Sequence, residues 1–216
     1  TKAVLYSVDY SNAVEANYRN NGPHERLKLF QTSIYELPFK KGSFDKVICL
    51  GVLQHTPDFK ASVQALVEMV KPGGELIIDF YPIKNIFTKV HSKYILRPIL
   101  KRVKHDSLMS LIRKNIGALI SIYKFNRRIG LGVLNRFVPI CDIERTLPAG
   151  MSKELLREWI ILDTFDMFSP AYDQPQRLST VAKWVKEFGM IDVDAVWVKY
   201  HGNLEAPTVR AKKPLK

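Results

Sequence analysis

SFDKVICLGVLQHTPD, residues 43–58, is the stretch from which the fold can be read. Lys46-Val47-Ile48-Cys49-Leu50 is short, apolar and β-rich. Lys41-Gly42-Ser43 marks a turn before it, and Gly51 breaks it. A parallel strand covered on both faces needs apolar residues in succession, so this run predicts a buried strand. Gln54, His55 and Thr56 come directly after it. Open α/β sheets bind ligands just beyond the carboxyl ends of their strands. Leu50 to Thr56 is therefore the first place to look for a site.

Upstream, Ala3 to Val8 is a strand run that ends at Asp9-Tyr10-Ser11. Ser11 suits a helix N-cap, and the helix it opens stops at Asn21-Gly22-Pro23. Leu27 to Gln31 is a short alternating strand. Ser33 to Phe39 is a loop, because Pro38 forbids a central strand. Downstream, Pro57 suits a first helical turn. Phe59, Val63, Leu66, Val67 and Val70 fall at helical spacing and form one buried stripe. Lys71-Pro72-Gly73-Gly74 stops that helix, and Glu75 to Phe80 reads as another buried strand. Strands alternating with helices imply a mostly parallel sheet with helices on its faces.

The pattern changes after Pro82. Ile86, Val90, Ile95, Ile99 and Val103 would line one helix, kinked or divided by Pro98. Leu108, Leu111, Ile112, Ile116, Leu119, Ile120 and Tyr123 would line another. Pro139, Pro148 and Gly150 interrupt the next part. Asp163, Asp166 and Tyr172 would line an acceptor pocket or are ordinary loop residues. The α/β pattern then returns. Ser179 or Thr180 caps a helix with Val181, Trp184, Val185 and Phe188 inward. Asp194 to Tyr200 is a strand, Gly202-Asn203 a turn, and Pro207 to Lys213 a returning edge strand. The expected division is a core from 1–82 and 176–216, with a helical insertion or lid at 83–175.

With 216 residues and 46% hydrophobic content the chain can bury a real core and is not a disordered segment. Its two cysteines, Cys49 and Cys141, cannot build a disulfide framework. No run of 18 apolar residues could span a membrane, and a cytoplasmic setting is expected. The net charge of +12 is uneven. Between Lys84 and Arg136 there are thirteen Lys/Arg and one acid, Asp106, so this segment carries the whole excess. Three readings fit it: a helical cap with a solvated basic face, a surface docking on an anionic membrane, or a nucleic-acid binder. Lys93-Tyr94-Ile95-Leu96-Arg97 interleaves basic and apolar residues, as a membrane surface requires. The absence of a stacking aromatic-basic module makes nucleic acid the last of the three.

Asp9 carries a chemical argument of its own. A carboxylate at the end of a strand, before a capped helix, can accept both hydroxyls of a ribose. A solvated loop aspartate is the plainer alternative. The order SVDYSNAVEAN, then SIYELPFKKGSFDKVICLGVLQHTPD, then LVEMVKPGGELIIDFYP resembles the class I S-adenosylmethionine-dependent methyltransferases. The likeness covers about Val4 to Pro82 and, more weakly, Ser179 to Lys213. It implies a Rossmann-like α/β sheet with helices on both faces and a C-terminal antiparallel hairpin. The helical insertion would follow the fifth strand of the family.

The resemblance also implies roles. Asp9 would bind the ribose hydroxyls of S-adenosylmethionine, and Tyr10 would pack on its adenine. Ser33 stands where the family usually has an acidic residue for the adenine amino group. Ile34 would cover the adenine. Leu50 and Gly51 would line the methionine portion, mainly through backbone. His55 would face the reacting methyl group as a base, or would instead orient the helix after it. No metal is expected. The family begins with a strand and a glycine-rich turn, whereas this sequence starts at the second strand. An N-terminally incomplete sheet, or a rebuilt one, is therefore expected. The implied reaction is methyl transfer to a small-molecule or lipid-like acceptor, at oxygen or nitrogen. A non-catalytic binding protein on the same fold and an RNA methyltransferase are the rivals.

Overall fold

Two ladders of strands form, and each contains a parallel pair joined by a helix. In the first, β1 (Leu5–Asp9) leads through α1 (Ala13–Asn21) to β2 (Leu27–Gln31). Leu5 stands opposite Leu27, and Asp9 opposite Gln31. In the second, β3 (Phe44–Cys49) leads through α2 (Phe59–Met69) to β4 (Val70–Asp79), again in parallel. Two later strands, β5 (Ile191–Lys199) and β6 (Glu205–Lys212), complete the order β3-β4-β6-β5. β6 runs antiparallel to β4. The computed structural model describes residues 2–144, 150, 152–200 and 205–215. The expected break at Pro148 and turn at Gly202-Asn203 lie outside the described residues.

Among the described residues no strand pairs with β1 or β3 along the edges that the two ladders leave open. This corrects the reading of β3 as buried on both faces. Val47 and Cys49 pack against the core, but Ile48 is 57% exposed and Leu50 is 48% exposed. An apolar run is buried only where neighbours supply cover, and β3 lies at the end of its ladder. Tyr6, Phe30, Phe39 and Phe44 bring the two ladders together, with ring centroids 5.0–6.0 Å apart. Tyr6 and Phe30 stack, and the other pairs meet edge to face; both geometries add to the area they bury.

Helix α2 ends one residue earlier than expected, and Lys71-Pro72-Gly73-Gly74 lies within β4. The register shifts there: Phe44 stands opposite Val70, while Lys46 already stands opposite Glu75. Gly73, at a φ of +75°, lets the extra residues loop out of the ladder. Pro57 lies outside α2. Asp58 is its N-cap, with the carboxylate accepting from Ala61 N at 2.9 Å. β6 is not an edge strand. Thr208, Val209 and Ala211 are buried between β4 and β5, and the pairing with β4 begins at Thr208, just after Pro207. Pro207 lies within β6 but before its pairing with β4, so it removes no bond from that ladder.

The chain divides into two compact units. One comprises Thr1–Phe80, Leu178–Val196 and Thr208–Lys216; the other comprises Tyr81–Arg177 and Trp197–Pro207. The first has a core of Leu53, Phe59, Val63, Leu76, Ile78, Phe80, Val181, Val185 and Val209, contributed by α2, β4, β6 and α6 (Leu178–Glu187). The second is helical: α3 (Ser92–Leu100), α4 (His105–Arg128) and α5 (Lys153–Phe168), with 3-10 turns at Ile86–Lys89 and Gly132–Phe137. Leu108, Ile112, Ile116, Ile160, Ile161 and Phe168 form its core. The stripe of Ile86, Ile95 and Ile99 does not contribute to it. These residues are 78%, 54% and 67% exposed. Leu96 and Leu100, on the other side of α3, pack inward instead.

Candidate functional site

The loops after β1, β2 and β3 hold the expected site residues, all within the first unit. Asp9 ends β1 and is exposed. Its Oδ1 accepts from both the backbone N and the Oγ of Ser11, at 2.7 Å each. Ser11 Oγ in turn accepts from Ala13 N at 3.1 Å. Two donors from one serine thus hold the carboxylate at the start of α1. Tyr10 beside it is 80% exposed, an aromatic ring that the protein itself does not cover.

The Asp9 carbonyl accepts from Thr32 N at 3.0 Å, which ties the end of β1 to the loop after β2. In that loop Ser33 is half-buried, and its Oγ accepts from Tyr35 N at 3.2 Å. Ile34 packs against the core. Tyr35 then reaches the start of α2. Its hydroxyl donates to Asp58 O and accepts from Asp58 N, both at 2.9 Å, and Ser62 Oγ donates to it at 2.8 Å. Asp9, Ser33, Ile34 and the approach to α2 are therefore linked by one series of short contacts.

After β3, Gly51 has a φ of +70°, and no atom lies within 4 Å of where a Cβ would stand. Its N–H donates to the Asp79 carboxylate, and its carbonyl accepts from Gln54 Nε2 at 2.7 Å. Leu50 stands exposed before it. His55 ends the 3-10 turn Leu53–His55, is half-buried, and donates its backbone N–H to Val52 O at 2.8 Å. An exposed carboxylate, a bare aromatic ring and open space at Gly51 thus stand at or just beyond the carboxyl ends of β1 and β3. No glycine-rich turn accompanies them among the described residues.

Sequence reasoning missed Asp79 and Tyr35. Asp79 is a charge at the end of an apolar strand run and only 8% exposed, so its type and place were a usable signal. Tyr35 had none, because its partner lies 23 residues away. The helical unit holds another unforeseen group. Asp173 Oδ2 accepts from Arg97 Nη1 at 2.7 Å and is ion-paired with Lys93, and the Asp173 side chain is 1% exposed. Arg97 Nη2 also donates to Pro170 O at 2.5 Å. Burial pulls the Lys93 ammonium below its usual range, and Asp173 opposes that. Burial likewise holds His91 low, with Arg136 and Lys93 adding to it. Asp163 and Asp166 are not loop residues, since α5 continues to Phe168; Tyr172 does lie in the loop after it.

Residues 1–78 match the family model described as a methyltransferase domain. This part of the chain is similar to that family. The likeness is to class I S-adenosylmethionine-dependent methyltransferases. A ubiquinone biosynthesis O-methyltransferase of Pseudomonas aeruginosa LESB58 is 34% identical over 95 residues, which are 43% of this chain and 38% of that one. The protein of the same name from Pseudomonas syringae pv. tomato DC3000 is 37% identical over 78 residues, 35% of this chain and 33% of its own. The chain thus spans between a third and two fifths of the relatives it matches. Among solved structures, a Burkholderia thailandensis 1,6-didemethyltoxoflavin-N1-methyltransferase with bound S-adenosylhomocysteine overlaps 98% of this chain and 61% of its own. Its identity is 13% and its TM-score 0.47. The family likeness covers residues 1–78 of the 216.

Proposed function

We propose that this chain serves S-adenosylmethionine-dependent methyl transfer to a small-molecule or lipid-like acceptor, at oxygen or nitrogen. The observation that supports it best is Asp9, exposed at the carboxyl end of a parallel strand with its carboxylate held by Ser11. S-adenosylmethionine supplies a methyl group on a positively charged sulfur. In this reading Asp9 accepts the two ribose hydroxyls, and Tyr10 packs on the adenine. Ser33 offers a hydrogen bond to the base, and Ile34 covers it. Leu50 and the open backbone of Gly51 line the methionine portion. His55 takes the proton that the acceptor loses, within a setting held by the turn Leu53–His55. In this reading the basic segment 84–136 of the helical unit faces an anionic membrane. The setting is cytoplasmic, at the membrane periphery.

A second reading, a binding protein without catalysis, is favoured by the open edges of β1 and β3. Calorimetric titration of S-adenosylhomocysteine separates the two, with Asp9→Ala as control. The proposal expects saturable binding that falls at least tenfold in the variant, the loss of two hydroxyl contacts to a charged group. No binding by a folded chain would overturn it for this chain. An RNA methyltransferase predicts instead RNA binding that weakens steeply with salt.

A further inference from the structure

One end of the helical unit carries exposed apolar side chains on two turns fastened to each other, in the most basic segment of the chain. Two 3-10 turns build it. Arg136, on the turn Gly132–Phe137, donates from Nε to Val90 O and from Nη2 to Phe87 O, both at 2.8 Å. These carbonyls close the turn Ile86–Lys89, so Arg136 fastens one turn against the other. Ser92 Oγ donates to Val138 O at 3.0 Å, which fixes the start of α3 to the same place. Asn126 Nδ2 donates to Asn135 Oδ1 at 2.9 Å, which brings the last turns of α4 there as well.

The side chains carried on this frame are the wrong kind for water. Ile86 is 78% exposed, Phe87 55%, Val133 68% and Phe137 51%. Monomeric soluble proteins rarely leave such groups together without a use for them. Lys89 stands on the first of these turns, and Lys124 and Arg128 on the last turns of α4; none forms an ion pair among the described residues, whereas Arg127 pairs with Glu144 at 2.5 Å. Asp106 is the only acid between residues 84 and 136. Apolar tips among mainly basic neighbours match an anionic lipid interface, where rings enter the headgroup layer and lysines meet phosphates. A protein partner would need a dense acidic surface around an apolar socket.

We infer that the paired turns clasped by Arg136 form a knuckle that inserts Phe87 and Phe137 into an anionic membrane surface. This deepens the membrane-facing reading of segment 84–136 and does not depend on methyl transfer. The binding is peripheral: among the described residues no helix is long and apolar enough to cross a bilayer.

Flotation of the full chain with phosphatidylcholine vesicles, with and without phosphatidylglycerol, tests it. Binding is expected only with phosphatidylglycerol. The triple variant Lys89→Glu, Lys124→Glu, Arg128→Glu should lower the partition by at least about 100-fold, some fivefold or more per cation lost. Phe87→Ser with Phe137→Ser should lower it about tenfold or more, even at high salt, where charge alone no longer holds the protein. Circular dichroism checks that each variant folds. Independently, the indole introduced by Phe87→Trp should shift its emission to the blue on anionic vesicles and be quenched by brominated lipid. An indole that stays unquenched on bound protein would overturn the inference, as would failure to float with anionic vesicles. So would a self-association that the two serine substitutions abolish, since the patch would then be a protein interface. S-adenosylhomocysteine titration of the same samples reports the cofactor reading separately.

Discussion

The backbone N–H of Gly51 donates to the carboxylate of Asp79, joining the carboxyl ends of β3 and β4 across the ladder. Asp79 is only 8% exposed, so this contact is made largely out of water. It sets the path of the chain as it leaves β3 toward Leu53–His55. A carboxylate is used here to hold backbone, which leaves the Gly51 carbonyl for Gln54.

Asp79→Ala should therefore destabilise the first unit by about 1–3 kcal/mol, the cost of leaving a buried donor unpaired. It should also weaken S-adenosylhomocysteine binding, because the chain after Gly51 loses its anchor. Asp79→Asn, which keeps an accepting oxygen, should recover much of both. Urea denaturation and calorimetry on the two variants check this; equal losses in both would show that charge, not the hydrogen bond, matters.

Tyr35 is the next point of control. Its hydroxyl both receives from and donates to the backbone of Asp58 and receives from Ser62. Tyr35→Phe should cost about 1–2 kcal/mol in urea denaturation, since the Asp58 N–H loses its partner at the entry to α2. Ser62→Ala in that background should add little, because both changes act on one network. Full additivity would show that the two hydroxyls act separately.

In the helical unit, Asp173 neutralises two buried cations. Asp173→Ala should destabilise by about 3–5 kcal/mol, as expected when one partner of a buried pair is removed. Replacing Arg97 by Met in the same chain should restore part of the loss by removing one stranded charge. Thermal melts of the single and double variants read this out. A melt unchanged by Asp173→Ala would mean that the cluster contributes nothing to the fold.

Burial pushes the Cys141 thiol up to about 12, the Thr164 contact only partly opposing it. The unfolded thiol ionises nearer 9. Between these values the unfolded state sheds its proton first, so stability from this group is full below about pH 9 and falls as pH rises toward 12. Cys141→Ala should flatten that alkaline slope in urea titrations. At pH 8 the native thiol should react slowly with a disulfide reagent and quickly once unfolded. Rapid native labelling at Cys141 would contradict its burial.

Much of the first unit was legible because its elements are local. The stripe Phe59, Val63, Leu66 and Val67 is an amphipathic helix by spacing alone, and α2 follows it. Leu27 to Gln31 is a strand with the expected bounds. Asp9 and Gly51 stand at strand ends where their residue types suggested. What spacing misjudged depended on neighbours. The Pro-Gly-Gly stretch stops a helix locally, yet the pairing of Phe44 with Val70 draws it into β4. Ile95 and Ile99 repeat like a core stripe but face outward, because Leu96, Leu100 and Arg97 take the inward side of α3.

By itself the sequence determined the alternation of strands and helices, the placing of all the excess positive charge between Lys84 and Arg136, and the likeness carried by residues 1–78. Periodicity, charge and motif order are properties of nearby residues, and they survive without coordinates. Only the tertiary structure decided that β3 has an open edge, that β6 lies inside its sheet, and that Asp79 holds Gly51. It alone set Phe87 beside Arg136, 49 residues away. Burial and hydrogen bonding over such separations depend on which surfaces meet, and that is fixed only when the packed chain excludes water.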